Sequence, residues 1–131
     1  MPPLYSKWNF FSYITVGFPS RHPFGWGFSP KVTSARVDTN ELMILIDEGA
    51  GTVLTEFSNL SDLEYLKLDV SAVAYYLGRN DDVLVLGSGG GRDLLTAVSF
   101  GTKKAVGVEI NQDINDIAFN KLIDFSGSIA H

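Results

Sequence analysis

Three glycines at alternate positions, Gly87, Gly89 and Gly91, lie between the apolar run Val83-Leu84-Val85-Leu86 and the stretch Arg92-Asp93-Leu94-Leu95. A strand-to-helix turn of this kind is where a parallel sheet offers a ligand crevice. Glycine serves it in two ways: it takes positive φ in a tight turn, and it lets the backbone approach a ligand with no Cβ in between. Glu109 follows about twenty residues on, at the end of the next apolar run. A carboxylate there accepts hydrogen bonds from both ribose hydroxyls of an adenosine. The dinucleotide fingerprint G-x-G-x-x-G/A would need a small residue at position 92, where this chain has Arg92. A P-loop needs Gly-Lys-Ser/Thr, which is absent from the sequence. Both phosphate-cradling motifs are therefore disfavoured.

Other chemistry-bearing residues form no second constellation. The chain has no cysteine, which excludes disulfides, thiolate metal sites and a cysteine nucleophile. His22 sits in a Pro/Gly loop and His131 is the last residue, neither with a partner at metal-ligand spacing, so no metal is assigned. Arg92 and Asp93 read as surface and helix N-terminal residues, where an acid suits the helix dipole. Asp47 reads as a turn former, and Lys103-Lys104 as a solvated pair. Asp113, Asp116 and Asp124 read as the wet face of the last helix.

The elements that must position the glycine turn follow from periodicity. Phe11 to Gly17 is aromatic and β-branched, as strands are. Pro19 to Pro30 reads as a loop. Ala35–Asp38 and Leu42–Asp47 read as a hairpin around Thr39-Asn40-Glu41. Residues 47–51 form a second turn, followed by a strand over 52–57. Ser61-Asp62-Leu63-Glu64 has the form of a capping box, and Leu63, Leu66, Val70, Val73 and Leu77 recur at helical spacing up to Gly78. That predicts one helix of roughly four turns. Val83–Leu86 reads as a strand buried on both faces of a parallel sheet, and Ala105–Ile110 as the second strand. Between them, a helix turns Leu94, Leu95 and Val98 inward and ends at Gly101. Ile114, Ile117, Ala118 and Leu122 give the last helical face, before a turn at Ser126-Gly127-Ser128.

Composition agrees with this division. The 131 residues carry a net charge of −5, yet residues 1–36 hold Lys7, Arg21, Lys31 and Arg36 with no acid, and all 15 acids follow. More than half of the aromatic side chains precede residue 29. The basic, aromatic front is either one β layer with a packed aromatic face or a surface that meets a membrane or a partner. The acidic balance argues against nucleic acid as a partner. No apolar run is long enough to span a bilayer, and no signal peptide opens the chain. The expected class is α/β: an antiparallel β domain over 1–58, a connecting helix over 59–80, and a partial Rossmann-like nucleotide-binding sheet of methyltransferase type over 81–131.

The glycine turn and Glu109 resemble the first two motifs of S-adenosylmethionine-dependent methyltransferases and of their relatives, the spermidine/spermine synthases. The upstream residues favour the second group. Tyr5-Ser6-Lys7-Trp8-Asn9-Phe10-Phe11-Ser12-Tyr13-Ile14 resembles the opening of their β domain. Leu45-Ile46-Asp47-Glu48-Gly49 resembles their L-D-G hairpin, Leu86–Leu95 their G-x-G-G-G-R-D-L loop, and Val108-Glu109-Ile110-Asn111 their V-E-I-N/D strand end. The resemblance implies that Gly87, Ser88, Gly89, Gly90 and Gly91 line the methionine-and-ribose part of the cofactor. It implies that Glu109 holds the ribose hydroxyls and that Asn111 reaches adenine or ribose. The implied reaction moves an aminopropyl group from decarboxylated S-adenosylmethionine to a small-molecule amine. A family Asp is replaced here by Gly90, which keeps intact S-adenosylmethionine and a methyltransferase open as the alternative. Family members carry the catalytic carboxylate on later strands, so the chain reads as the N-terminal part of such an enzyme, with no catalytic residue assigned. A non-catalytic or truncated nucleotide-binding domain is the third reading. The unfinished sheet suggests a homo-oligomer formed through the β domain or the open edge, and the cofactor suggests a cytoplasmic location.

Overall fold

The computed structural model describes residues 2–34 and 37–126. Two sheets organise them. An antiparallel sheet has the order β1 (Tyr5–Trp8), β2 (Tyr13–Ser20), β3 (Asn40–Ile46) and β4 (Ala50–Glu56). A separate parallel pair is formed by β5 (Asp82–Leu86) and β6 (Lys104–Val108). The short helix α1 (Pro30–Ser34) lies between β2 and β3, and α3 (Arg92–Ser99) joins β5 to β6. The protein is thus mixed α/β.

The antiparallel sheet is fixed by its turns. Between β1 and β2 the Asn9 Oδ1 accepts from the amides of Phe11 and Ser12, both at 2.8 Å. Between β3 and β4, Asp47 and Glu48 take positive φ (51° and 56°), which matches the right-handed twist of a tight hairpin. The Asp47 carboxylate accepts from the Tyr13 amide at 2.8 Å and ties the turn to β2. Val37 and Asp38 lie outside any strand, and β3 pairs with β2 and β4 on its two edges. Ala35 and Arg36 lie outside the described residues, as do Gly127, Ser128 and His131.

One face of this sheet carries the main core. Ile14, Val16, Leu42, Ile44 and Leu54 pack against Ile114, Ile117 and Ala118, which belong to α4 (Gln112–Asp116) and the wide π turn after it. The last helical face therefore covers the antiparallel sheet. The front does not form a packed aromatic layer. Trp8, Phe11 and Trp26 are exposed, and Phe10 is 97% exposed at the tip of the β1–β2 turn that Asn9 holds.

The predicted four-turn helix is broken into three pieces: a 3-10 run over Leu60–Leu68, a second over Val70–Ala72, and α2 (Val73–Leu77). Asp69 interrupts it in extended conformation (φ −88°, ψ 150°). Its buried carboxylate accepts from the amides of Trp26, Gly27 and Ser71 and pairs with Arg92. Several charge-assisted bonds, each of order 1 kcal/mol or more, outweigh the few tenths of a kcal/mol that helix propensity offers. Leu63 and Leu66 stay buried, whereas Val70, Val73 and Leu77 are exposed once the turn phase is lost. The start of the run also differs from the expected Ser61/Glu64 box. The Asp62 carboxylate accepts from the amides of Ser58 and Asn59.

The parallel pair is covered on one face only among the described residues. Val85 faces α3, and Gly107 lies so close to it that an added Cβ would meet Leu94 Cδ1 at 2.8 Å. On the other face Leu84, Leu86, Val106, Val108 and Ile110 are all exposed. Burial on both faces, expected from the continuous apolar run, is not found. The helix after β6, which could have covered the second face, packs on the antiparallel sheet instead.

Two carboxylates set opposite pH trends. The Lys7 ammonium, 2.6 Å from Asp113 and joined there by Asn9, holds the Asp113 carboxyl below the usual carboxylate range. This corrects the solvated-face reading of Asp113, which is buried where α4 meets β1. Its contribution to stability is present above the ordinary aspartate value of about 3.9 and is lost as pH falls through the depressed value. Glu41 behaves in reverse. Burial pushes its carboxyl up, and bonds from the Phe24 amide and the Tyr65 hydroxyl offset this only in part. Its contribution is full below the ordinary glutamate value of about 4.3 and fades as pH rises through the raised value. In chemical denaturation across pH, Asp113→Asn is expected to flatten the acid limb, and Glu41→Gln to remove the decline that begins above the ordinary glutamate value. Unchanged slopes in both variants would refute these assignments.

Candidate functional site

The glycine turn closes by main-chain bonds. The amides of Gly87 and Ser88 both donate to the Val108 carbonyl, at 2.7 and 3.1 Å, so the ends of β5 and β6 are clamped together. Gly87, Gly89 and Gly91 all take positive φ (73°, 54° and 91°), the conformation that calls for glycine. Gly91 then starts α3, with its carbonyl accepting from the Leu95 amide.

Glu109 faces this turn. Its Oε2 accepts from the Gly89 amide at 2.9 Å and its Oε1 from the Asn111 amide at 2.8 Å. Sequence spacing and structure agree in bringing the glycines and Glu109 together. Asn111 meets Glu109 through its amide alone. Its side chain caps α4 by accepting from the Asp113 amide, accepts from Asn9 and donates to Ser12. It is thus a buried link between the front hairpin and α4.

The glycines divide by what they approach. Gly87 has open space where a Cβ would project. Gly89 and Gly90 instead lie against β4. A Cβ on Gly89 would crowd the Thr52 side chain, and one on Gly90 would overlap the Val53 carbonyl oxygen. The Gly90 amide donates to Thr52 Oγ1 at 2.9 Å. Ser88 is buried.

Between the turn and the antiparallel sheet lies a cavity of about 190 Å³, whose walls include Phe24, Trp26, Thr52, Gly87, Asp93 and Glu109. The aromatic wall comes from the Pro/Gly-rich loop and is held by buried charges. Glu41 accepts from the Phe24 amide at 2.6 Å, and Arg92 Nε donates to the Phe24 carbonyl at 3.1 Å. Asp69 holds the amides of Trp26 and Gly27, and a Cβ on Gly25 would fall 2.6 Å from its carboxylate. Arg92 is therefore no surface residue: its guanidinium lies 2.6 Å from Asp69, with the side chains 6% and 0% exposed. Sequence reasoning missed Phe24, Trp26, Thr52, Asp69 and this role of Arg92. The one local signal was the pair of glycines flanking Trp26.

A larger cavity of about 580 Å³ lies beside Arg21, His22, Phe28 and Val32. Arg21 and Asp38 at its rim pair with each other at 3.6 Å. The smaller cavity collects the convergent backbone amides and carboxylates, and that carries more chemistry than volume does. Among the described residues, no group of three or more His, Asp or Glu could hold a metal ion, and no helix is long and apolar enough to cross a membrane. No family model, curated protein or solved structure matches the chain.

Proposed function

We propose that the chain is the cofactor-binding part of a spermidine-synthase-like transferase of Rossmann-like, methyltransferase-type fold, moving an aminopropyl or other alkyl group from an S-adenosylmethionine-type sulfonium to an amine. The observation that carries this reading is the Glu109 carboxylate set across the glycine turn. A carboxylate offers about four lone-pair sites. Glu109 uses one on each oxygen for Gly89 and Asn111, which leaves one on each for a pair of ribose hydroxyls. The cavity, at about 190 Å³, is smaller than the ~300–1,000 Å³ of complete small-molecule sites. It suits a ribose and its 5′ substituent, with the base lying outside. When bound, the sulfonium supplies an alkyl group activated by a neutral thioether leaving group. This chain's residues hold the ribose and exclude water around it.

Gly90 does not separate the aminopropyl and methyl alternatives, because the Val53 carbonyl leaves no room for a side chain there. A non-catalytic nucleotide-binding domain is the second reading. It is favoured by the way β4 itself fills the space that Gly89 and Gly90 leave.

Thermal melting with S-adenosylmethionine, its decarboxylated form and methylthioadenosine tests the proposal. A ligand at a hundred times its Kd adds about 2.7 kcal/mol of stability. At least one of the three is expected to raise Tm by several degrees, and Glu109→Gln to weaken that ligand about tenfold or more. No shift with any adenosine thioether or sulfonium would overturn the reading.

A further inference from the structure

We infer that the tip of the β1–β2 hairpin docks this protein on a lipid surface of zwitterionic headgroups, with Phe10 and Phe11 entering the apolar edge of the bilayer and Trp8 and Tyr13 resting at headgroup level. This tip is a separate part of the molecule from the glycine crevice, and its docking does not depend on what the crevice binds.

The order of side chains along the hairpin is the one a bilayer boundary selects. Phe10 and Phe11 are both exposed on the turn itself and meet edge to face at 5.6 Å. Trp8 and Tyr13 are cross-strand partners just behind it, stacked at 4.6 Å, and Trp8 is exposed. The wholly apolar rings thus lie at the tip, and the rings with a polar handle are set back from it, where a membrane interface holds Trp and Tyr. Two residues of extended chain place Trp8 roughly 7 Å behind Phe10. That agrees with the depth of about 5–10 Å to which interfacial elements sink their apolar face. A groove on a protein imposes no such grading with depth.

The polar groups of the turn are already satisfied. The amides of Phe11 and Ser12 both donate to Asn9 Oδ1, and the Asn9 amide donates to the Ser12 carbonyl at 2.9 Å. Entry into a water-poor layer carries a penalty for each unpaired amide, and these three are paired within the turn before any contact is made. Asn9 is itself fixed from behind, its Nδ2 donating to Asn111 and Asp113. The rings therefore stand on a rigid base, so little ordering entropy is lost on docking.

Charge around the tip selects the kind of lipid. Lys7, the base nearest the turn in sequence, is paired with Asp113 at 2.6 Å. The β3–β4 turn at the same end of the sheet adds Asp47 and Glu48, with Asp47 bonded to the Tyr13 amide. Among the described residues the tip presents no excess of positive charge, and the chain carries −5 overall. An anionic membrane repels it, and attachment rests on buried aromatic area, which salt does not screen.

The test is co-sedimentation of the whole 131-residue chain with phosphatidylcholine vesicles at pH 7, at low and at high salt. Binding is expected in both, changing less than about twofold between them, and is expected to weaken when phosphatidylserine replaces part of the lipid. Phe10→Ser combined with Phe11→Ser is expected to weaken partition about tenfold or more with Tm unchanged, since neither ring is buried. Phe18→Ser, which removes an exposed ring farther along β2, is expected to leave partition unchanged. Tryptophan emission is expected to shift to the blue on binding in the unmodified chain and not in Trp8→Phe. Absence of binding to phosphatidylcholine overturns the inference, as does binding that needs phosphatidylserine and is lost at high salt. An equal loss with Phe18→Ser, or a blue shift that persists in Trp8→Phe, overturns the tip as the docking element. Self-association without lipid, read by sedimentation velocity and abolished by the same double substitution, assigns the tip to a second copy of the chain and overturns lipid docking.

Discussion

Asp69→Ala is expected to lower the stability of the fold by roughly 3–5 kcal/mol, read as a large fall in the urea midpoint with an unchanged slope. Asp69 is fully buried, and its carboxylate is the shared acceptor for the Trp26, Gly27 and Ser71 amides and for the Arg92 guanidinium. Removing it strands a buried cation and three amides at once. The uncompensated Arg92 is the largest of these costs, since breaking one side of a buried pair leaves a desolvated charge. Two controls follow from that argument. Asp69→Ala combined with Arg92→Met is expected to be less damaging than Asp69→Ala alone, because the stranded charge is gone. Asp69→Asn, which keeps acceptor capacity, is expected to fall between. A loss below about 1 kcal/mol for Asp69→Ala would show that the pair is not buried as described. Because Asp69 also fixes Trp26, the same variant is expected to lose ligand affinity even where it remains folded.

Gly90→Ala is expected to cost about 3 kcal/mol or more and to open the glycine turn. The new Cβ would overlap the Val53 carbonyl oxygen, lie 2.6 Å from its carbonyl carbon, and approach the Leu54 amide nitrogen at 3.1 Å. These are backbone atoms of a strand paired along its length with β3, so they do not move aside as a flexible side chain would. The turn must lift instead, which breaks the Gly90–Thr52 bond and carries Gly89 away from Glu109. Gly87→Ala is the contrast. Space is open there, and the penalty is the positive φ alone, about 1–2 kcal/mol. Equal and small effects at both positions, measured by denaturation, would contradict the docking of the turn on β4.

These two sites mark the limit of what is legible in the chain. The glycine turn, the strand before it, the helix after it and the Glu109 contact are local or spaced by one βαβ unit, and chain spacing alone foretells them. The β3–β4 hairpin is legible for the same reason, since Asp47-Glu48-Gly49 carries its own turn chemistry. The wrong expectations share one cause. The helix over 61–77 satisfies its own periodicity, and nothing within it announces that Asp69 will be held by Trp26, 43 residues before it, and Arg92, 23 residues after it. Likewise Arg92 reads as a surface charge until its partner is known. A continuous apolar strand reads as doubly buried until the following helix is seen to pack elsewhere.

Residue types and spacing by themselves thus determined which segments turn, which extend and which carboxylate meets the glycines, because those choices are settled by φ/ψ preference and short-range bonding. Only the tertiary structure decided which buried charges pair, which face of β5–β6 stays open, and that an aromatic loop from residues 24–27 forms the far wall of the crevice. Those outcomes depend on close contact between side chains tens of residues apart, where the cost of an unpaired buried charge or an overlapping atom exceeds any local preference.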